Sequence, residues 1–261
     1  MENNVPAKPV EKLKSIMKAP SVVEQFENVL KENTGPFVAS IIDLYNGDQY
    51  LQNCDPKQVV MEALKAATLK LPVNKSLGFS YIVPFKTKNG MQAQCQIGYK
   101  GYIQLALRTG QYRVINADVV YEGELLVDSH NKLTGEIKFT GQKKSNKVIG
   151  YFAHVELLNG FSKTLYMTKE QVQAHAKKYS KSFSQTYSPW NTEFDAMAKK
   201  TVIRNLLSHY GYLSVEMISA MDSDHADEDE RNNNLKEQAN SEEISEDVQF
   251  EEVTEQEGPD F

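Results

Sequence analysis

Twelve lysines and arginines against four acidic residues fall between positions 138 and 204, with aromatic rings threaded among them. Lys143, Lys144, Lys147, Lys163, Lys169, Lys177, Lys178 and Lys181 are interleaved with Tyr151, Tyr166, Tyr179, Phe183, Tyr187 and Trp190. Cations neutralise phosphates and aromatic faces stack on unpaired bases, at about 1–3 kcal/mol per stacked base, so the mixture suits a single strand better than a duplex. Tyr187 and Trp190 stand at a helix start in a polar loop and are the stacking candidates, whereas Tyr151 and Phe152 read as core. Lys200 and Arg204 are one helical turn apart with Lys199 beside them, a stripe able to track a phosphate backbone. Taken alone, that helix reads first as a solubilised face.

A second group comprises Lys86, Lys88, Gln92, Gln94, Gln96, Tyr99, Lys100, Arg108 and Arg113. Gly98 and Gly101 bracket Tyr99-Lys100, so the backbone there can approach another chain or a ligand closely. Lys100 also lies just before a helix whose free amides favour anions. A phosphate contact fits this turn, as does a plain strand-to-helix connection that needs glycine. The three glutamines could hydrogen-bond bases or backbone without adding charge, or simply face solvent.

Catalytic constellations are harder to find. The chain has no G-x-x-x-x-G-K-[ST] loop and no H-E-x-x-H, and its five histidines lack metal-ligand spacing, so ATP-driven strand exchange is not expected. Glu122, Glu124 and Asp128 could in principle ligate a divalent ion, but a solvated edge is the plainer reading. Cys54 and Cys95 are too few for a disulfide framework or a thiolate metal site and read as free buried thiols. No catalytic residue, resident metal or cofactor is expected, with Mg²⁺ at most an aid to the activity.

The elements that must position these groups change period along the chain. Residues 1–20, with Pro6, Pro9 and Pro20, read as a mobile arm holding at most a helical turn near Leu13–Met17. Ser21 and Glu24 form a capping box for a helix ending near Gly35, a second helix covers Phe37–Tyr45, and Asp55, Pro56 and Gln58 start a third that runs to about Leu71 and is ended by Pro72. A hairpin follows: Phe79–Lys86, an Asn89-Gly90 turn, and Met91–Ile97 with alternating glutamines. A short helix over Tyr102–Thr109 closes at Gly110. Strands are expected at Tyr112–Tyr121, Leu133–Thr140, Lys147–Leu157 and Phe161–Met167. Thr168 caps a helix to Tyr179, and Ser188-Pro189 opens the longest helix, Trp190–His209, with Phe194, Met197, Ala198, Thr201, Val202, Leu206 and His209 facing the core. Helices, then an antiparallel sheet with a β-hairpin, then helices make an α+β fold.

Charge divides the chain differently. Residues 1–220 hold 27 basic against 19 acidic side chains and residues 221–261 hold 2 against 16, under a net charge of −6. A cationic body fits a polyanionic partner, and the acidic, apolar-poor terminal stretch is expected to be disordered. One domain at 21–220 therefore carries both the mobile arm and the tail. No secretory signal or stretch of about 18 apolar residues is visible, so a cytoplasmic protein with no membrane partner is expected.

Two separated motifs make the chain recognisable. Gly78-Phe79-Ser80-Tyr81-Ile82-Val83-Pro84-Phe85 leads to Gln96-Ile97-Gly98-Tyr99-Lys100-Gly101-Tyr102-Ile103-Gln104-Leu105-Ala106 with Arg108, and Trp190, Phe194, Met197, Ala198, Lys199, Lys200, Thr201, Val202, Ile203 and Arg204 follow. Over residues 20–212, including Gly150-Tyr151-Phe152-Ala153 and the Asn159-Gly160 turn, this order and spacing closely resemble the RecT family of phage single-strand annealing proteins. The resemblance implies an ATP-independent recombinase that assembles as rings or helical filaments on single-stranded DNA, pairs it with a complement, and works beside a phage exonuclease in a bacterial host. It also implies that the hairpin, the Lys100 turn and the Lys200–Arg204 helix line one groove. The tail, with Val248, Phe250 and Val253 among acids and Phe261 at its end, is similar to the C-terminal tip of bacterial single-strand-binding proteins. It is read as a partner-docking element or a competitor for the basic groove. The residues alone leave open a passive single-stranded DNA- or RNA-binding scaffold without annealing activity and, more remotely, a metal-dependent nuclease.

Overall fold

Prolines open three of the four N-terminal helices of the computed structural model, which describes residues 9–87, 90–126, 130, 131, 133–180, 182–186 and 188–224. Every described residue lies within the unit Met1–Ala226. Helices α1 (Pro9–Met17), α2 (Pro20–Leu30), α3 (Thr34–Gly47) and α4 (Pro56–Thr68) pack together. Their fixed φ suits proline to a first turn, where its missing N–H costs nothing. The expectation of a free arm over residues 1–20 is corrected from Pro9 onward, because α1 buries Leu13 and Met17 against its neighbours. The Ser21–Glu24 capping box does not form either, since Pro20 takes the first helical position after Ala19. Gly35 does not stop a helix: α2 ends at Leu30, Lys31 turns with φ 52°, and Gly35 sits in the first turn of α3. Asp55 caps α4 as expected, accepting the Lys57 amide at 3.0 Å.

The hairpin pairs β1 (Ser80–Thr87) with β2 (Gly90–Ile97), from Ser80↔Ile97 to Thr87↔Gly90. One face, with Ile82, Ala93, Cys95 and Ile97, is buried. Its outer amides are satisfied by α4, where the Gln58 side chain accepts from Ala93 N at 3.1 Å and Glu62 from Cys95 N at 2.8 Å. The opposite face pairs Tyr81 with Gln96, Val83 with Gln94 and Phe85 with Gln92, all half-buried. Helix α5 (Tyr99–Arg108) begins three residues earlier than expected, and Gly110, with φ 67°, follows its end.

A second antiparallel sheet has the order β3 (Tyr112–Tyr121), β4 (Val148–Leu157), β5 (Ser162–Thr168). The strand expected over Leu133–Thr140 is not one. The Asn131 carboxamide accepts from Leu133 N and Thr134 N and Gly135 turns with φ 74°, so local turn bonding wins over strand pairing. Phe139 from this segment stacks on Phe152 at 4.8 Å and covers the outer face of β4.

Thr168 and Gln171 form a reciprocal capping box for α6 (Lys169–Tyr179). The long helix expected from Trp190 is broken: α7 (Pro189–Thr192) ends at Glu193, with φ −138° and ψ 49°, before α8 (Phe194–Tyr210). Ala198, Val202, Ile203, Leu206 and Leu207 of α8 are buried in the core, and the helix packs on the second sheet and on α5. His209 is corrected from core to surface, with Nδ1 2.8 Å from the Asn205 carbonyl. A final helix absent from the sequence expectations, α9 (Val215–Asp224), lays Met217, Ala220 and Met221 against the body and contacts β2 and α5. Among the described residues no helix is long and apolar enough to cross a membrane.

Candidate nucleic-acid interface

The start of α5 is shaped by three glycines. Gly98 donates its amide to the Phe79 carbonyl at 2.9 Å, and a Cβ at Gly98 or Gly101 would collide with the carbonyl oxygen of Gly78 or Phe79. The turn that leads into the hairpin therefore lies directly on the first turn of α5, and Tyr99 and Lys100 are held on rigid backbone. Lys100 is exposed and Tyr99 half-buried. A Cβ at Gly78, whose φ is 71°, would lie 3.1 Å from the Tyr81 hydroxyl and 3.5 Å from Lys100 Cδ, so the hairpin base and the Lys100 turn share one small region. Burial pushes the Tyr81 phenol above its usual range, and the nearby Tyr99 and Glu193 push it further in the same direction.

Helix α8 reaches this region through Lys199. Its Nζ stands 4.7 Å from the Tyr99 ring centroid and 3.9 Å from Asp118 Oδ1 on β3. The two groups separated in sequence by a hundred residues thus meet here. Lys199 and Arg204 are five residues apart, which on a 3.6-residue helix turns their side chains apart by about 140°. Arg204 looks instead towards α6, where its guanidinium and the Lys178 ammonium both act on His175. Burial first, and then these two cations, hold His175 below the usual histidine range. The His175 ring lies 4.6 Å from Tyr179, over which Lys178 is placed at 4.8 Å. Lys177 and Lys178 are exposed in the last turn of α6, and Lys200 is half-buried beside the Arg204 stripe.

Three expected contacts have other work. Trp190 is corrected as a stacking group: only 6% exposed, its indole meets Phe183 and Phe194 edge-on at 6.2 and 5.7 Å. The short helix α7 turns the large ring inwards, where burial of its apolar area outweighs exposure. Arg108 donates to the carbonyls of Leu69 and Lys70 at 2.6 and 2.9 Å, covering the C-terminal end of α4. Arg113 pairs across the sheet with Glu156 at 3.0 Å. Lys86 remains exposed towards the hairpin turn, and Gln94 and Gln96 lie on the face opposite the core. Lys88, Lys181, Tyr187, Val248, Phe250, Val253 and Phe261 lie outside the described residues.

Tyr81 and Phe85, named above only as part of the first motif, stand beside the expected glutamines, and the signal for that placement is present in the sequence. Strand alternation sets Tyr81, Val83 and Phe85 on one face, and the hairpin register puts them beside the three glutamines. His175, three residues before Lys178 on one helix, was equally legible. Glu122 accepts the Ser145 hydroxyl and Glu124 the Tyr121 amide, while Asp128 lies outside the described residues. Among the described residues no three histidine, cysteine or carboxylate groups converge as a metal site.

A family model, the RecT family, matches residues 35–242. The match starts later than the expected residue 20 and continues past residue 212. The chain is 51% identical over 211 residues to the uncharacterized protein YqaK of Bacillus subtilis (strain 168), covering 80% of this chain and 70% of that protein. It is 32% identical over 178 residues to protein RecT of Escherichia coli (strain K12), covering 67% of this chain and 65% of that protein. The matched stretch contains the hairpin, the Tyr99-Lys100 turn and all of α6 and α8, and on this ground the protein belongs to the RecT family, whose members bind DNA and act in recombination by single-strand annealing.

Proposed function

We propose that the protein binds single-stranded DNA without ATP and anneals it to a complementary strand, assembled as an oligomeric ring or helical filament. The observation that carries this reading is the convergence of the exposed Lys100 turn, Tyr99 and the basic helix α8 at the base of the hairpin. Lysines and arginines hold the first strand by its phosphates, its bases stay accessible, and complementarity selects the second strand. Lys86, Lys100, Lys177, Lys178, Lys200 and Arg204 supply the charge in this reading, with Gln94 and Gln96 as uncharged hydrogen-bonding groups. Lys88, Lys181 and Tyr187 enter this reading from the sequence alone. No cofactor takes part beyond Mg²⁺ as an aid. A phage exonuclease or a host single-strand-binding protein would dock on the acidic terminal stretch through Val248, Phe250, Val253 and Phe261.

Mixing two labelled complementary oligonucleotides with the protein, in EDTA and in Mg²⁺, tests the proposal. Faster duplex formation without ATP is the expected result. Strands that stay separate would instead make the protein a passive scaffold, and metal-dependent fragments would make it a nuclease. About four phosphate contacts per protomer would give single-strand binding a log–log salt slope near −3, and a slope indistinguishable from zero would overturn the electrostatic account.

A further inference from the structure

We propose that Lys199 is a positioning residue: it holds the Tyr99 ring in the orientation on which an unpaired base stacks, and does not itself contact the phosphate backbone. The inference rests on the single-strand-binding reading above and narrows it. The Lys199 side chain is 19% exposed, whereas Lys100 lies open on the surface. Its ammonium is shared between the Tyr99 ring, 4.7 Å to the centroid, and Asp118 Oδ1 at 3.9 Å. Turning it towards a phosphate would give up both partners. A cation over one face of a ring is attracted by the π-electrons there, and it confines stacking to the opposite face.

The backbone leaves this job to do. The glycine contacts at Gly98 and Gly101 fix where Tyr99 starts, but not how its ring is turned. Lys199 supplies the missing constraint, from a helix anchored in the core by Ala198 and Val202 on either side of it in sequence. Asp118 in turn holds the ammonium from β3. One charge therefore ties three elements to a single ring, and Lys100, next to Tyr99 in the chain, provides the phosphate contact.

The test is a titration of the full chain with oligothymidylate carrying one 2-aminopurine, read by anisotropy across a salt series and by quenching of the base. Lys199→Met should weaken binding about tenfold, within what one stacked base contributes, and lose the quenching while keeping the wild-type salt slope. Tyr99→Leu should do the same, the double variant should be no worse than Tyr99→Leu, and Lys199→Arg should restore quenching. Lys100→Ala should instead make the slope shallower by about 0.7, the loss of one phosphate contact. A Lys199→Met slope shallower by about the same amount with quenching retained would overturn the inference. So would binding, slope and quenching that all stay at wild-type values. If Lys199→Met does not fold, the pair Lys199→Gln with Asp118→Asn removes both charges together and is read in the same way. A wild-type protein with neither slope nor quenching would defeat the single-strand-binding reading itself, a result distinct from these.

Discussion

His175, on α6, is flanked by Tyr179 and by the cations of Lys178 and Arg204. Burial and those cations favour the neutral ring, so the folded protein takes up this proton less readily than the unfolded chain. Stability from the site is complete above the ordinary histidine value near 6.5 and drains away as pH falls through that value. His154, half-buried beside Thr164, acts in the same direction. The melting temperature should therefore fall between pH of about 7.5 and about 5.5, and less steeply for His175→Gln. Identical pH profiles for the two proteins would refute the account. Asp48 belongs to a more acidic range. Burial raises its carboxyl, but Lys75 at 3.0 Å and the amides of Leu51 and Tyr50 outweigh that and hold it below the usual carboxylate value. Residue type alone was a poor guide to duty at this scale. Trp190, Arg108 and Lys199 have the chemistry of nucleic-acid contacts, yet one fills the core, one covers a helix end and one holds a ring.

The elements carry their instructions more openly. Asp55-Pro56, Thr168 with Gln171, and Ser188-Pro189 each start a helix where local hydrogen bonding dictates it. Alternation in Met91–Ile97 likewise follows from the pleat, because one face of β2 must be buried. Local signals misled where several competed: Pro20 displaced the Ser21 cap, and Asn131 with Gly135 replaced a strand by turns. The glycines separate these cases by experiment. Gly101→Ala places a methyl against the Phe79 carbonyl and should destabilise by about 1–3 kcal/mol, as overpacking does. Gly35→Ala, in a helical turn with nothing within 4 Å, should stabilise by about 0.5–1 kcal/mol. Chemical denaturation of both variants decides the matter, and equal effects at the two sites would contradict the packing described for the start of α5.

At the scale of the whole molecule, charge and packing divide the chain at different places. The excess of acid begins near residue 221, whereas α9 continues the packed body to Asp224. A truncation after Asp224 keeps α9 and, by removing 14 acidic and 2 basic residues, changes the net charge from −6 to +6. Long-range attraction then favours a polyanion, so affinity for single-stranded DNA should rise at about 50 mM salt, and the difference from the full chain should shrink towards zero near 300 mM. Binding curves at the two ionic strengths measure this, and a difference that persists at high salt would exclude long-range charge as its cause. Composition and period were enough to reveal a basic body, an acidic end, the α+β order of elements and the two RecT-like motifs, because charge count, capping and alternation are local properties of a chain. Only the tertiary structure decided that Lys199 meets Tyr99 and Asp118, that Arg204 turns to His175, that Trp190 is core, and that α9 returns to β2 and α5. Those outcomes depend on which helix face lands on which sheet. The minimum that fixes that landing is shared among residues far apart in the chain, so no local window of sequence contains it.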